Sequence, residues 1–153
     1  MLEKAQRPVF LVGQGISLAG ARKEFLQLAQ KINIPVITAR LGIDLIESDN
    51  ELYVGRSANY GERAANFAIQ SADLILSIGC RLASSLVGHN PKAFGANAYK
   101  FVVDIDPKEL DKPGVNIDYK VLLDCKIFLQ RMLNNFEFYH LPNYDKWVKL
   151  CNT

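Results

Sequence analysis

The chain has few of the residues that metal sites, disulfide frameworks and histidine-based catalytic centres require. Only three cysteines occur among 153 residues, Cys80, Cys125 and Cys151, and no Cys-x-x-Cys pair is present. Their odd number and wide spacing argue against a disulfide framework and a structural zinc site, and fit a reducing cytoplasm. His89 and His140 are the only histidines. A metal site or a histidine-dependent triad is therefore hard to assemble from this chain.

Charge and hydropathy exclude two further classes of partner. The net charge is +2 and no basic run is present, so the sequence offers no electrostatic case for nucleic acid. No apolar segment approaches the roughly 20 residues that span a membrane, and the N-terminus has no hydrophobic signal core. We therefore expect a cytoplasmic protein. A hydrophobic content of 49% is enough for the core of one domain.

Three short apolar runs end abruptly in turn residues. They are Val9–Gly13, Leu74–Gly79 and Phe101–Asp106. Apolar runs without polar alternation are typical of strands that are covered on both faces. Because segments with helical periodicity lie between them, the pattern predicts an α/β fold. We expect a Rossmann-like parallel sheet of about six strands, with helices on both faces.

Proline and aspartate mark the expected helix boundaries. The first helix is predicted over about Ala19–Ile32, because Pro35 excludes the helical conformation from the residue before it. Asp106 is a candidate N-cap, since Pro107 follows it at a first helical position. Asp124 is expected to cap the next helix in the same way.

Residues 136–153 have a different character from the rest of the chain. Tyr144, Trp147 and Val148 recur on one helical face, and no glycine or cap closes that helix. We expect residues 1–135 to form the domain, and residues 136–153 to form a linker and a truncated helix that leads toward a missing C-terminal domain. The aromatic face is predicted to dock against that absent domain.

Glycines and charged residues collect where the predicted strands end, which is where open parallel sheets bind ligands. Gly13 and Gly15 either approach a nucleotide or form a tight turn with no ligand, because they are not a full Gly-x-Gly-x-x-Gly motif. Arg81, two residues after Gly79, either binds a phosphate or pairs with a carboxylate of a neighbouring domain. Asp106 either binds a ribose or serves only as an N-cap.

Six segments form an ordered set that covers about residues 7–133. They are Arg-Pro-Val-Phe-Leu-Val-Gly-Gln-Gly at 7–15, Ile-Pro-Val-Ile-Thr at 34–38, Leu-Tyr-Val-Gly at 52–55, Gly-Glu-Arg-Ala-Ala-Asn-Phe-Ala at 61–68, Ala-Asp-Leu-Ile-Leu-Ser-Ile-Gly-Cys-Arg at 72–81 and Val-Val-Asp-Ile-Asp-Pro-Lys-Glu-Leu at 102–110. In this order they resemble the central domain of thiamine-diphosphate-dependent enzymes of the acetolactate synthase type. Each motif is weak by itself, whereas the ordered set is specific.

The resemblance implies the middle of three domains. In these enzymes the N-terminal domain supplies the glutamate that activates thiamine, and the C-terminal domain carries a Gly-Asp-Gly metal and diphosphate motif, which this chain lacks. We therefore expect no catalytic residues and no metal ligands here, and no activity from the isolated domain. Thiamine diphosphate and Mg²⁺ would belong to the full-length enzyme, a homo-oligomer that decarboxylates a 2-oxo acid and joins the fragment in branched-chain amino acid biosynthesis.

The resemblance also implies a nucleotide site, since some members bind FAD in the middle domain and others bind another nucleotide or none. The matching positions are Gly13, Gln14, Gly15, Thr38, Gly79, Arg81, Asp104, Ile105, Asp106, Asp124 and Cys125. Two loops depart from acetolactate synthases. Residues 57–61 are Ser-Ala-Asn-Tyr-Gly in place of Leu-Gly-Met-His-Gly, and residues 82–85 are Leu-Ala-Ser-Ser in place of Phe-Asp-Asp-Arg. Both departures weaken the flavin interpretation.

Two other interpretations stay open. A stand-alone nucleotide-binding or regulatory module would bind a nucleotide tightly and would have a well-closed C-terminus. A sirtuin-like NAD-dependent deacylase shares a related fold, but it needs a catalytic histidine and usually a zinc-binding set of cysteines. Neither feature is visible in the sequence.

Overall fold

One parallel sheet of six strands organises the protein, whose structure is a computed structural model that describes residues 1–153. The strands are β1 (Pro8–Val12), β2 (Val36–Thr38), β3 (Tyr53–Arg56), β4 (Leu74–Ile78), β5 (Tyr99–Asp104) and β6 (Tyr119–Leu122). The helices are α1 (Gly15–Leu18), α2 (Arg22–Ile32), α3 (Arg63–Ser71), α4 (Ser84–Val87), α5 (Pro107–Asp111), α6 (Cys125–Asn134) and α7 (Asp145–Cys151). No helix is both long enough and apolar enough to cross a membrane.

The strand order confirms the predicted Rossmann-like fold. The order is β3-β2-β1-β4-β5-β6, and every neighbouring pair is parallel. The chain therefore builds outward from β1 in one direction and then from β4 in the other. Val12 lies opposite Thr38 on β2 and Ile78 on β4, so three strands end side by side where the direction reverses. Such a switch point is the usual ligand site of an open α/β sheet.

Alternate residues of the central strands enter two separate cores. Phe10 of β1 and Leu76 of β4 face a core of 21 buried residues, which includes residues of α2 and α6 and is called the α2–α6 layer here. Leu11 of β1 and Ile75 of β4 face a core of 19 buried residues on the opposite side, which includes residues of α3 and is called the α3 layer. Every residue of β1 and β4 is buried, as expected of strands covered on both faces.

The first helix is shorter than predicted. The expected helix over about Ala19–Ile32 is divided into α1 and α2, because Gly20 between them has a φ of +62°. That left-handed conformation suits glycine and interrupts a right-handed helix. The predicted end is confirmed, since α2 stops at Ile32 and Asn33 caps it with a φ of +58°.

The prediction that the aromatic face of the tail docks against an absent domain is wrong. Tyr144, Trp147 and Val148 retain only 3%, 6% and 8% of their exposure. Tyr144 and Val148 join the α2–α6 layer, whereas Trp147 joins the α3 layer. The segment that contains α7 therefore packs against both cores of this chain. The division between residues 1–135 and 136–153 stays a prediction.

Hydrogen bonds hold α7 against the edge of the sheet where the strands begin, called the amino edge here. The indole Nε1 of Trp147 donates to the carbonyl oxygen of Pro8, the first residue of β1, at 2.9 Å. Asn152 donates to the carbonyl oxygen of Glu51, shortly before β3, at 2.7 Å. The buried indole of Trp147 thus has a backbone partner, as burial requires.

Candidate nucleotide site at the strand carboxyl ends

Three glycines let the turns after β1 and β4 touch each other. A Cβ atom on Gly15 would lie 2.7 Å from the Cα of Gly79, which is closer than real Cβ atoms approach. The amide of Gly13 donates to the carbonyl oxygen of Ile78 at 3.1 Å, and the amide of Gly15 donates to that of Gly79 at 3.0 Å. These two hydrogen bonds therefore join the carboxyl ends of β1 and β4. The close backbone packing requires glycine at these positions with or without a ligand.

Three other predicted site residues differ in accessibility. Gln14 is exposed between the two glycines, and Ile105 after β5 keeps 66% of its exposure. Thr38 at the end of β2 is fully buried, and its hydroxyl lies 3.4 Å from the hydroxyl of Tyr53. A ligand at this edge would reach the first two side chains directly but not the third.

The predicted aspartates hold the local backbone. The carboxylate of Asp104, 6% exposed, accepts from the amide of Asp106 at 3.0 Å. Asp106 in turn accepts from the amide of Lys108 at 2.9 Å and caps α5, while Asp124 accepts from the amide of Lys126 at 2.8 Å and caps α6. Both predicted N-caps are confirmed. Their carboxylates are already engaged in these bonds.

Arg81 follows β4 in a turn of unusual backbone geometry. Its φ is +58° and that of Leu82 is +43°, and non-glycine residues seldom occupy this left-handed region. The Arg81 guanidinium, whose side chain is 76% exposed, contacts the Glu109 carboxylate at 2.9 Å. Lys112 contacts the same carboxylate at 2.6 Å and donates to the carbonyl oxygen of Arg81. Together, the hydrogen bonds from Lys112 and Arg81 hold the pKa of Glu109 below its ordinary value.

The sequence interpretation missed the partners of this turn. Carboxylate pairing was one of the two roles considered for Arg81, but the carboxylate comes from α5 of the same chain, 28 residues later. The spacing of Glu109 and Lys112 on one helix is visible in the sequence. Nothing in that spacing indicates which turn of another strand they would contact.

A family model described as the central domain of thiamine pyrophosphate enzymes matches residues 1–132. The chain belongs to this family. The resemblance seen in the ordered motifs is thereby confirmed.

Acetolactate synthase large subunits are among the relatives of this central domain. A probable large subunit of Methanococcus aeolicus is 34% identical over 162 aligned positions, which cover 100% of this chain and 27% of that protein. A probable large subunit of Methanocaldococcus jannaschii is 31% identical, and the large subunit of Lactococcus lactis is 32% identical; each alignment covers 97% of this chain and 25% of the relative. The chain thus spans about a quarter of the length of the curated relatives it matches.

The thiols of this central domain are poor nucleophiles. Cys80 and Cys125 are 7% and 5% exposed, and burial raises the pKa of each to about 12. Both therefore stay protonated at neutral pH and pack as small hydrophobic residues. Nowhere do three His, Cys, Asp or Glu side chains converge in a way that could hold a metal ion.

The edge of the sheet where the strands end, called the carboxyl edge here, leaves large apolar side chains in solvent. They are Leu18, Leu41, Ile43, Ile105, Leu122 and Ile127, each between 44% and 79% exposed. All of them lie in, or shortly after, a strand end or the helix that follows it. Exposed apolar side chains at the edge that contains the switch point are candidates for contact with a ligand or with another protein surface.

Proposed function

We propose that this chain acts as the central domain of an acetolactate synthase-like enzyme and that its carboxyl edge holds FAD or another nucleotide. The whole enzyme would decarboxylate a 2-oxo acid and join the fragment to an acceptor in branched-chain amino acid biosynthesis. Thiamine diphosphate and Mg²⁺ supply that chemistry, and other parts of the enzyme would bind them. This domain would position those parts within a cytoplasmic homo-oligomer and carry no catalytic residue itself.

The division of labour rests on the coverage of the relatives. The alignments include 97–100% of this chain but only 25–27% of each large subunit. The chain also offers no cluster of metal-ligating side chains. Roughly three quarters of such an enzyme is therefore left to bind the thiamine cofactor and its metal. We infer that this domain positions those other parts and binds a nucleotide.

The observation that carries the nucleotide assignment is the position of Arg81 at the switch point. Arg81 lies two residues after Gly79, whose backbone contacts the glycine turn that follows β1, and its guanidinium is exposed. A planar guanidinium matches a diphosphate through paired hydrogen bonds. Gln14 is exposed on the same turn, and the exposed Ile105 would cover the nucleoside end of the ligand.

The remaining predicted residues would shape the backbone that the ligand contacts. Gly13, Gly15 and Gly79 form a floor without side chains, so a diphosphate could approach the main chain. Thr38, Asp104, Asp106 and Asp124 are buried or hydrogen-bonded to backbone amides, and they fix the strand ends around that floor. The Arg81 guanidinium already pairs with the Glu109 carboxylate. An anionic ligand would therefore have to displace that carboxylate.

Calorimetric titration of the purified chain with FAD, ADP and NAD tests the nucleotide site. We expect micromolar binding of FAD or ADP that Arg81→Ala abolishes. Arg56→Ala is the matched control, because Arg56 is also exposed at a strand end and paired with a carboxylate, Glu62, at 3.0 Å. Equal loss of binding in both variants, or no binding of any nucleotide, would contradict the site. Thiamine-dependent decarboxylation of pyruvate by this chain alone would contradict the central-domain role.

A stand-alone nucleotide-binding or regulatory module is the second candidate. The observation that favours it is the burial of the α7 face, which closes the amino edge without any further domain. This candidate predicts tight, stoichiometric nucleotide binding together with a stable monomer in solution. Sedimentation of the chain with and without the nucleotide tests this candidate, because association in either condition would contradict a stand-alone monomer.

A further inference from the structure

An apolar cavity lies between the sheet and helices α2 and α6. Its volume is about 230 Å³, and eleven of its twelve lining residues are hydrophobic. Phe10 and Leu76 form part of the floor on β1 and β4, while Leu28 of α2 and Met132 of α6 stand on its sides. Such a lining offers almost nothing to a water molecule, which needs two or more polar partners.

Aromatic contacts outside the cavity keep its walls in place. Phe10 meets Phe25 edge to face, with their ring centroids 5.6 Å apart. Phe101, another wall residue, stacks on Tyr119 at 5.1 Å and touches Phe128, which also lines the cavity, at 5.8 Å. Because Phe10 and Phe101 each pack against a ring outside the cavity, neither ring turns freely into it.

The rim of the cavity is held by two hydrogen bonds and by the packing of Leu2 against the core. The short turn Leu2–Lys4 lies over it. The carbonyl oxygen of Leu2 accepts from the hydroxyl of Tyr144 at 2.6 Å, and the carboxylate of Glu3 accepts from the amide of His140 at 3.0 Å. Lifting this turn breaks a few hydrogen bonds and no strand, so a molecule has a route from solvent to the cavity.

We propose that this cavity is a binding site for a small, neutral, apolar molecule, of the size of one aromatic ring or a short branched chain. An apolar cavity of about 150 Å³ in another protein stays dry and binds benzene, so the volume here is ample for that class. Glu3 is the only non-hydrophobic residue of the lining, and its negative charge at the rim disfavours anions. Nucleotides and 2-oxo acids are excluded, which separates this site from the one at the carboxyl edge.

Benzene is the probe, and two readouts report on the purified chain: the thermal unfolding midpoint and the NMR signals of the methionine methyl groups. We expect a saturable rise in the midpoint and shifts of the Met132 methyl signal. Leu28→Phe fills the cavity and should abolish both effects. Leu26→Phe is the control on the same helix, because Leu26 packs against the core but does not line the cavity.

If Leu28→Phe fails to fold, Met132→Phe supplies the same test from the side of α6, where the wall is only partly buried. Crystals of the chain under xenon pressure give the direct view, with xenon expected between α2, α6 and the sheet. The proposal is overturned by the absence of saturable benzene binding, by binding that persists in every filled variant, or by a crystal structure in which the turn Leu2–Lys4 occupies the space.

Discussion

The two edges of the sheet differ in what covers them. At the amino edge, α7 buries Tyr144, Trp147 and Val148 to 8% exposure or less and adds hydrogen bonds to backbone oxygens of β1 and of the segment before β3. At the carboxyl edge, six large apolar side chains keep 44% or more of their exposure. The turns there are held by glycine contacts and by the ion pair between Arg81 and Glu109.

We interpret the difference as one between an edge that stabilises the fold and an edge that we propose binds a ligand. Buried aromatic side chains at the amino edge contribute to folding. At the carboxyl edge the backbone is fixed by glycine contacts and by N-caps, and this is the edge at which open parallel sheets usually bind ligands. The comparison also shows why the tail was misjudged from sequence: an apolar helix face was recognised correctly, but the surface that it covers belongs to the same chain.

The largest effect is expected at the amino edge. Trp147→Ala should lower the free energy of unfolding by about 3–5 kcal/mol, because it empties a buried site and removes a donor from the Pro8 carbonyl. Denaturant titration measures the change. Leu150→Ala on the same helix is the control, since Leu150 is 59% exposed and should change stability by only about 0.5 kcal/mol. Similar losses in both variants would mean that α7 does not close this edge.

The glycine contact at the carboxyl edge comes next. Gly79→Ala and Gly20→Ala introduce the same strain, because the two φ values are +59° and +62°. Only the first places a Cβ against backbone, 2.8 Å from the Cα of Gly15, whereas nothing lies within 4 Å at Gly20. Gly79→Ala should therefore cost roughly 1–3 kcal/mol more than Gly20→Ala. Equal unfolding midpoints would refute the close contact of the two turns.

A smaller loss is expected for the cap of α6. Asp124→Ala removes the carboxylate that accepts from the amides of Lys126 and Ile127, and should cost about 1 kcal/mol. Thermal unfolding at neutral pH gives the change. Asp49→Ala is the matched control, because Asp49 is exposed outside any helix. If Asp124→Ala is no worse than Asp49→Ala, the cap contributes nothing, and this side of the carboxyl edge is fixed by packing alone.

The smallest change in stability is expected for the ion pair between Arg81 and Glu109. Lys112 and Arg81 lower the pKa of Glu109 from its ordinary value of 4.5. A carboxyl with a lowered pKa stabilises the fold above that ordinary value, and the contribution disappears as the pH falls through the folded-state pKa. Glu109→Gln should therefore cost up to about 1 kcal/mol at neutral pH, since Arg81 is largely in solvent. A difference from wild type that grows below pH 4.5 would reverse the sign and contradict this assignment.

Local sequence patterns predicted the central strands and two helix N-caps correctly. The apolar runs at β1, β4 and β5, and the N-caps Asp106 and Asp124, depend on neighbouring residues, so the sequence contains their cause. The division of the first helix at Gly20 depends on a left-handed backbone that many helical glycines never adopt.

Long-range contacts were beyond sequence reasoning. The bond from Trp147 to Pro8 joins residues 139 apart, and the pair of Arg81 with Glu109 spans 28. Nothing local indicates either partner, because each pairing is decided by how the sheet brings distant segments to one edge. The location of the candidate residues at strand carboxyl ends could be predicted, but the contacts that their side chains already make could not.

Hydrogen–deuterium exchange of the chain with and without FAD tests the contrast between the two edges most directly. Binding at the switch point predicts slower exchange in residues 13–18, 79–82 and 104–107, with α7 unchanged. Slower exchange in α7, or no change at the three strand-end turns when FAD is at saturating concentration, would contradict the assignment of the carboxyl edge as the ligand-facing side.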